Sequence, residues 1–330
     1  MTDKEKQNIE VSVIVPVLNE EKYIRNFIES LLTQTYPKEK MEWLIIDGGS
    51  KDRTLEICND YLEKGPFKIL HNNKQKTTYA LNMGIEESLG KYVIRMDAHA
   101  EYNMDYIEKC IYWLKQTGAD NVGGVATTKA TGYIGEAIAA MLSSKFGVGN
   151  SSFRVDEKSG YVDTVPFGAF DKKIFEKVGM FNHDLPRSED NDMNARIREH
   201  GGKIWLSNDI KFTYYCRDSI GSILKMGLKN GNALFQTLKV NPKAMQIRHY
   251  IPFLFFISLV ILPIGMRFSS IMKILLEFEL GLYCILDILY SFKKNVRKYG
   301  IVTIWLYPLF HWMYGLGSFL SLIGIKVIGR

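Results

Sequence analysis

Three short clusters of acidic and imidazole side chains have the residue types and spacing to do chemistry. The most informative is Asp97-Ala-His99, where a β-rich run that starts at Lys91 ends abruptly. In open α/β sheets, ligands bind at the carboxyl ends of the strands. Mixed carboxylate and imidazole ligation suits Mn²⁺ and, less readily, Mg²⁺. The pair therefore predicts either a divalent-metal site or, on the plainer interpretation, a solvated turn.

The other two clusters are Asp47 and the pair Glu189-Asp190. Asp47 ends a second apolar run, so its carboxylate could contact the base or ribose of a nucleotide, or belong only to a helix-capping turn. The residues after it match neither GxGxxG nor GxxxxGK[ST], so neither a dinucleotide fingerprint nor a P-loop is present. Glu189 and Asp190 begin a helix, where the helix dipole favours acids. A carboxylate there could also accept a proton from an attacking hydroxyl.

Alternating strands and helices must position these clusters. Apolar runs predict strands at 11–18, 42–47, 67–70 and 92–96, with helical patterns between them. This order predicts an α/β fold with a mostly parallel central sheet. From residue 121 the pattern loosens into a long stretch that includes a Gly/Ser-rich segment. Long loops of this kind are often lids or binding loops.

The distribution of charge argues against nucleic acid as a partner. The 330-residue chain has a formal net charge of +6, but residues 239–330 hold eleven basic and three acidic residues, a net of +8 that leaves −2 for the rest. Basic residues beside apolar runs are expected at an anionic membrane surface, whereas a nucleic-acid-binding protein would carry a basic groove in its folded domain. The four cysteines show no zinc or disulfide spacing. The polar N-terminus lacks a signal-peptide core, so we expect a cytosol-facing catalytic part.

Three apolar segments end the chain, at 250–266, 271–292 and 301–325. The third has 25 residues without a charged side chain and is the expected membrane span. The second carries three acids, and since an acid at the bilayer centre costs roughly 2.5–3.5 kcal/mol, we expect it to be interfacial or to face protein. The amphipathic stretch 219–240 predicts either a helix on the bilayer surface or one packed on its own domain. The predicted domains are a catalytic domain at 1–240, with 219–240 as its possible interfacial helix, and a membrane-associated region at 241–330.

Five motifs, in order and spacing, resemble family 2 glycosyltransferases with the GT-A fold. They are Val13-Ile-Val-Pro-Val-Leu-Asn-Glu-Glu21, Ile46-Asp-Gly-Gly-Ser-Lys-Asp-Arg-Thr54, Ala80-Leu-Asn-Met-Gly84, Met96-Asp-Ala-His99 and Ser188-Glu-Asp-Asn-Asp192. The resemblance covers about residues 10–240. The Asp-Ala-His form, the stretch Tyr161–Ala169 and the ending His311–Gly317 look most like the succinoglycan glucosyltransferase type of bacterial exopolysaccharide enzyme.

The resemblance implies an inverting transfer of a sugar from a nucleotide-diphosphate donor, with UDP-glucose as the expected donor and a lipid-linked saccharide as the expected acceptor. It implies a set of donor-binding residues, namely Pro16, Asn19, Glu20, Asp47, Lys76 and Asp97. Asp97 and His99 would hold Mn²⁺ or Mg²⁺, although most of the family has an acid in place of His99, which leaves the choice of metal open. Asp190 would be the general base, with Glu189 helping to position the acceptor.

The resemblance further implies a role in bacterial polysaccharide biosynthesis at the inner membrane, with the catalytic domain facing the cytoplasm. The Gln-x-x-Arg-Trp motif of processive members is absent, so we expect addition of a single sugar. Two alternatives stay open. One is another sugar-nucleotide enzyme such as a nucleotidyltransferase, which would need a glycine-rich basic loop where this chain has Pro16-Val-Leu-Asn-Glu-Glu. The other is a non-enzymatic membrane scaffold.

Overall fold

The computed structural model describes residues 8–155, 158–185 and 187–327. These residues divide into two units. The first contains the described parts of Met1–Thr127, Asp156–Asp184 and Glu189–Tyr214, and the second contains those of Thr128–Val155, Leu185–Ser188 and Tyr215–Arg330. The structural boundary thus lies before the stretch 219–240, which belongs with the C-terminal helices.

One mixed sheet of nine strands organises the first unit. Their bounds are β1 Val11–Val17, β2 Met41–Asp47, β3 Phe67–His71, β4 Tyr92–Arg95, β5 Ala100–Tyr102, β6 Asn121–Lys129, β7 Gly160–Tyr161, β8 Ala169–Asp171 and β9 Ile204–Tyr215. The order is β3-β2-β1-β4-β8-β6-β9-β5, with β7 paired to β9. β3, β2, β1 and β4 run parallel, and their buried apolar residues fit the near-continuous runs typical of parallel strands.

The remaining described pairings overturn the prediction of a mostly parallel sheet. β8 is antiparallel to β4 and β6, and β9 is antiparallel to β5 and β7. The prediction was wrong because β5, β7 and β8 have only two or three residues each. Strands this short carry no alternating pattern that a sequence could reveal.

Thirteen α-helices complete the described residues. In chain order they are α1 Ile24–Leu32, α2 Thr54–Asn59, α3 Thr77–Glu87, α4 Tyr106–Thr117, α5 Gly132–Leu142, α6 Lys145–Val148, α7 Ser152–Val155, α8 Ile174–Val178, α9 Glu189–Glu199, α10 Ile220–Val240, α11 Ile247–Gly265, α12 Ser270–Ser291 and α13 Gly300–Leu322. α1 shows why the predicted helices form: it buries Ile24, Phe27, Ile28 and Leu31, the spacing of one helix face.

Close contact between α10 and α13 organises the second unit. A Cβ on Gly231 would overlap the backbone of Tyr314, so only glycine permits this approach. Ser318 Oγ donates to the Gly231 carbonyl at 3.2 Å, and Asn232 Nδ2 donates to the Gly317 carbonyl at 3.2 Å. Small residues and interhelical hydrogen bonds are the usual means by which apolar helices associate tightly. The helix therefore packs on α13 of the second unit, whereas the two interpretations of 219–240 were a helix on the bilayer surface and one packed on the predicted catalytic domain at 1–240.

Among the described residues, one helix is long and apolar enough to cross a membrane by length and composition, and it is α11. The prediction that segment 301–325 is the span was wrong in this respect. α13, which forms most of that segment, buries polar residues such as Thr303, His311 and Ser318 against neighbouring helices.

Two of the three acids of α12 face protein. Glu279 Oε1 accepts a hydrogen bond from Ser258 Oγ at 2.6 Å, and Asp287 is buried and accepts from Ser291 Oγ at 3.2 Å. The third acid, Glu277, is exposed. A simple lipid-facing span is therefore not supported for α12.

Candidate active site

The loops that follow β1 and β2 are joined by hydrogen bonds. Asn19 N donates to Ser50 Oγ at 2.9 Å, and Lys51 N donates to Asn19 Oδ1 at 2.8 Å. Glu20 N donates to Thr54 Oγ1 at 2.7 Å. Because β1 and β2 are adjacent and parallel, their carboxyl ends meet at one edge of the sheet. The two sequence motifs are therefore one structural feature, and the Asn19 side chain is used to hold it.

Asp47 is buried beneath this pair of loops. Its Oδ2 accepts from Gly49 N at 2.9 Å, and its Oδ1 accepts from Ser50 N at 3.1 Å. The carboxylate thus shapes the turn, which was the simpler of its two interpretations. Contact between Asp47 and a nucleotide remains a prediction.

A cavity of about 150 Å³ opens at the same edge. Five predicted donor or metal residues line it, namely Pro16, Glu20, Lys76, Asp97 and His99. Asn72, Gln75 and Arg95 also contribute to its lining. The volume is below the 300–1,000 Å³ typical of sites for whole small ligands, so the cavity as it stands has room for only part of a nucleotide sugar.

Arg95 is the central residue that the sequence interpretation missed. Its Nε lies 3.3 Å from Asp97 Oδ1, and its Nη1 lies 3.1 Å from Glu189 Oε1 and 2.8 Å from Asp190 Oδ1. The guanidinium lies 5.6 Å from the centroid of the Phe167 ring, and the side chain is only 7% exposed. One buried cation therefore links the predicted metal residue to the predicted catalytic residues. A charged residue ending an apolar strand was the signal available in the sequence.

The surroundings of this cluster raise the pKa of one carboxyl group, that of Asp190. Burial raises the pKa of Asp190 from 3.8 to about 7; the Arg95 cation opposes the shift, while the Glu189 and Asp97 carboxylates add to it. Burial alone would lower the pKa of Arg95, but the three carboxylates raise it well above its usual value. Arg95 therefore stays charged, and Asp190 titrates near the pH at which a general base is most effective.

The start of α9 is held in place by a buried amide network. Asn194 Nδ2 donates to Thr164 Oγ1 at 2.9 Å and to the Val165 carbonyl at 3.1 Å. Asn194 Oδ1 accepts from Asn121 Nδ2 at 2.6 Å. These three hydrogen bonds satisfy the buried Asn194 amide, although Asn121 Oδ1 has no hydrogen-bond partner among the described residues. The stretch Tyr161–Ala169 thus has a structural task, which is to anchor the helix that carries Glu189 and Asp190.

Asp192, the third acid of this motif, belongs to the scaffold. Its side chain is 2% exposed and lies 2.9 Å from Arg196 Nη2. Arg196 in turn donates to the Met180 carbonyl at 2.9 Å. Of the three acids, Glu189 and Asp190 are therefore the two that contact Arg95.

Four non-glycine residues with left-handed backbone conformations occur among the described residues, and all adjoin this cluster in space or in sequence. Asn19 has φ 55° and Gln75, in the cavity lining, has φ 59°. Phe167, beside Arg95, has φ 48°, and Ser188, directly before Glu189, has φ 66°. Such conformations cost about 1–3 kcal/mol each and concentrate at functional sites.

Asp97 and His99, the two predicted metal ligands, both line the cavity, and a divalent metal there remains a prediction. His99 Nδ1 lies 3.5 Å from Glu20 Oε1, and a carboxylate beside one ring nitrogen orients the other nitrogen toward a metal. The described residues gather no group of three or more His, Cys, Asp or Glu side chains able to hold a metal. Asp97 and His99 would therefore supply two ligands, with phosphate oxygens and water completing the shell, as is usual for Mg²⁺ with phosphorylated substrates.

Comparison with known proteins identifies the family. The family described as Glycosyl transferase family 2 matches residues 12–178. The chain is 30% identical over 324 residues, 95% of its length and 97% of the relative's, to dolichyl N-acetyl-alpha-D-glucosaminyl phosphate 3-beta-D-2,3-diacetamido-2,3-dideoxy-beta-D-glucuronosyltransferase of Methanococcus voltae. The chain belongs to glycosyl transferase family 2. The prediction of a glycosyltransferase is confirmed, and the nucleotidyltransferase and scaffold alternatives are excluded.

This glycosyltransferase is also similar to a second relative in sequence and to a solved structure in fold. It is 29% identical over 221 residues to the succinoglycan biosynthesis protein ExoA of Rhizobium meliloti, covering 66% of each chain. The solved structure of the mannosyltransferase PcManGT from Pyrobaculum calidifontis, in complex with GDP-Man and Mn²⁺, aligns with a TM-score of 0.64 at 18% identity, covering 95% of this chain and 87% of that one. At that identity the likeness shows the fold, which is GT-A-like.

Proposed function

We propose that this glycosyltransferase moves one sugar, with inversion, from a nucleotide-diphosphate donor to a lipid-phosphate-linked acceptor. The observation that carries the proposal is the contact of Arg95 with both Asp97 and Asp190, at 3.3 and 2.8 Å, because it couples a donor-side carboxylate to a base for the acceptor. The dolichyl-phosphate-linked acceptor in the name of the Methanococcus relative supports the acceptor class. GDP-Man and Mn²⁺ in PcManGT support a nucleotide sugar and a metal.

The proposed mechanism follows from the residues around the cavity. Lys76 lines it and provides positive charge for the diphosphate. Asp97 and His99 would hold Mn²⁺ or Mg²⁺, which when bound neutralises the charge of the leaving diphosphate. Asp190 takes the proton of the acceptor hydroxyl as its oxygen bonds to the anomeric carbon and the bond from that carbon to the diphosphate breaks. Attack opposite the leaving group inverts the configuration.

The same proposal includes a specific donor and a location at the membrane. UDP-glucose is the first donor to test, and α11, as the candidate span, supports a site of action at the membrane. We place the catalytic unit on the cytoplasmic face, where nucleotide sugars are available. The similar relatives come from an archaeon and a bacterium, so both kinds of lipid-linked acceptor should be supplied.

Incubation of the full chain with UDP- and GDP-sugars tests this function. We expect one donor to release nucleoside diphosphate, with the sugar recovered on a polyprenyl-phosphate-linked saccharide. Release without lipid product would contradict the proposed acceptor class. If no donor releases nucleoside diphosphate in the presence of Mn²⁺ and Mg²⁺, the proposed donor class is contradicted.

The metal prediction concerns His99. We expect His99→Ala to weaken donor binding by at least as much as loss of a group hydrogen-bonded to a metal ligand does, which is about 10–100-fold, and chelation of the wild-type enzyme to do the same. Calorimetric titration with the nucleotide sugar measures both effects. His200→Ala is the matched control, since His200 lies at the exposed end of α9. Undiminished affinity in chelator would refute the metal assignment.

The pH prediction follows from Asp190. Because a general base must be ionised and the pKa of Asp190 is about 7, kcat/KM should fall as the pH drops through that value. Glu189→Gln removes a like charge that raises the pKa of Asp190, so the acid limb should move to lower pH. A pH profile of the free enzyme reports this directly. An acid limb that stays in place in Glu189→Gln would argue against Asp190 as the titrating group.

A further inference from the structure

The second unit contains a larger cavity that the donor chemistry does not use. Its volume is about 710 Å³, within the range typical of ligand sites. α11, α12, α13 and the segment around α6 form its lining. Most of that lining is apolar, and includes Phe146, Phe255, Leu282, Leu286 and Phe310. A site of this size and character suits a hydrocarbon chain.

Basic residues contribute to the cavity lining at and near the contact between Gly149 and the first turn of α11. Lys145, Arg248 and His249 all contribute to its lining. Gly149 has φ 64°, and a Cβ on it would lie 2.9 Å from Arg248 Cβ, so glycine lets the chain just after α6 approach the first turn of α11. Arg248 is partly buried, and like Lys145 it brings a positive charge to the lining. This part of the cavity, its basic end, is therefore suited to an anionic group.

The cavity is polarised along α11. The acid in the cavity lining is Glu279 of α12, which accepts a hydrogen bond from Ser258 of α11 at 2.6 Å. Ser258 lies ten residues after Arg248, which is about 15 Å along a helix. The negative group is thus well separated from the basic end. An amphiphile would bind with its anionic head near Arg248 and its chain directed along α11.

The side of the cavity formed by α11 is also open to the surroundings. Ile251 and Leu254 line the cavity yet are 58% and 60% exposed. α11 is the helix whose length and composition suit a membrane span. An apolar chain could therefore enter sideways from a bilayer without crossing water.

We propose that this cavity binds the polyprenyl phosphate portion of the acceptor, with the phosphate at Lys145 and Arg248 and the isoprenoid chain against α11 and α12. The inference rests on the proposed lipid-linked acceptor and adds the place where the lipid is held. Charge complementarity at one end and an apolar wall open along the candidate span select this occupant.

Variants of the full chain in nanodiscs test the apolar part. Leu286→Trp fills the cavity and should raise the KM for the polyprenyl-phosphate-linked acceptor about tenfold or more while leaving the donor KM unchanged. Ile285→Trp is the matched control, since Ile285 is the neighbouring residue on α12, is 58% exposed and does not line the cavity. Equal effects of the two variants would overturn the proposal.

The basic end has its own matched pair. Arg248→Gln should raise the KM for the same acceptor about tenfold, as expected when a charge-assisted hydrogen bond to phosphate is lost. Lys273→Gln removes one charge from an exposed position on α12 and should have no effect. If both changes act alike, general attraction to the membrane explains the result and the site is refuted.

Photolabelling of the unaltered protein keeps the proposal falsifiable if a variant fails to fold. The probe is farnesyl phosphate with a terminal benzophenone, in phosphatidylcholine nanodiscs. We expect labelled peptides from α11, α12 or residues 145–149, with competition by unlabelled polyprenyl phosphate. Labelling elsewhere, or equal competition by phosphatidylglycerol or inorganic phosphate, would overturn it. Since labelling needs no sugar transfer, its failure is distinguishable from failure of the proposed function.

Discussion

Replacement of Asp190 by asparagine is expected to lower turnover by about 10²–10⁴, the range typical of a lost general base, while donor affinity stays near that of the wild type. An asparagine keeps the shape of the side chain, and its oxygen can still accept from Arg95 Nη1, which lies 2.8 Å from Asp190 Oδ1. Its amide cannot take up the proton of the acceptor hydroxyl. Steady-state kinetics with the lipid-linked acceptor, together with calorimetry of donor binding, separate the two effects.

The control for this substitution is Asp209→Asn, which removes an acid from an exposed position on β9. It should leave turnover unchanged. Turnover of Asp190→Asn within a few-fold of the wild type would move the role of base elsewhere. Glu189, on the same guanidinium, would then be the next candidate, because Asp192 is buried in its pair with Arg196.

Replacement of Arg95 by methionine is expected to destabilise the first unit by about 3–5 kcal/mol, as when one partner of a buried ion pair is removed. The substitution leaves Asp97, Glu189 and Asp190 without their shared cation, and these side chains are only 14%, 18% and 23% exposed. Thermal unfolding of the full chain, followed in the catalytic unit, measures the change. Arg53→Met is the control, because Arg53 pairs with Glu56 on the exposed surface.

The destabilisation by Arg95→Met should depend on pH in a defined direction. Arg95 lowers the pKa of Asp190, which burial already raises to about 7, so its loss raises the folded-state pKa further. A carboxyl group with a raised folded-state pKa favours folding at low pH and loses that contribution as the pH rises through the raised value. The part of the destabilisation that comes from Asp190 should therefore be constant below about pH 7 and grow as the pH rises above that value. A difference that shrinks with rising pH would contradict this role of Arg95.

Much of the site could be predicted from sequence because neighbouring parallel strands end at the same edge of the sheet. The runs before Leu18, Asp47 and Asp97 mark strands whose carboxyl ends share one sheet edge, and this gathers Pro16, Glu20 and Asp97 around one cavity. What the pattern could not reveal was which motif residues hold loops together. The side-chain oxygens of Asn19 and Asp47 accept hydrogen bonds from nearby backbone amides.

The role of Arg95 and the choice of α11 rather than segment 301–325 as the candidate span were missed for different physical reasons. The acids Glu189 and Asp190 lie 94 and 95 positions from Arg95 in the chain, and spacing along a sequence does not encode so distant a contact. In the C-terminal region, absence of charge did not separate α11, the candidate span, from α13, which packs tightly on α10. Gly315 and Gly317 of α13 were the better signal, since small residues mark helix contacts.

The proposed inverting transfer is tested most directly by supplying a radiolabelled nucleotide-diphosphate sugar and a polyprenyl-phosphate-linked saccharide and measuring transfer. NMR then determines the anomeric configuration of the product. We expect one added sugar of inverted configuration with the wild-type chain, and a rate about 10²–10⁴ lower with Asp190→Asn. A product of retained configuration, or transfer that does not depend on Asp190, would contradict the proposed mechanism.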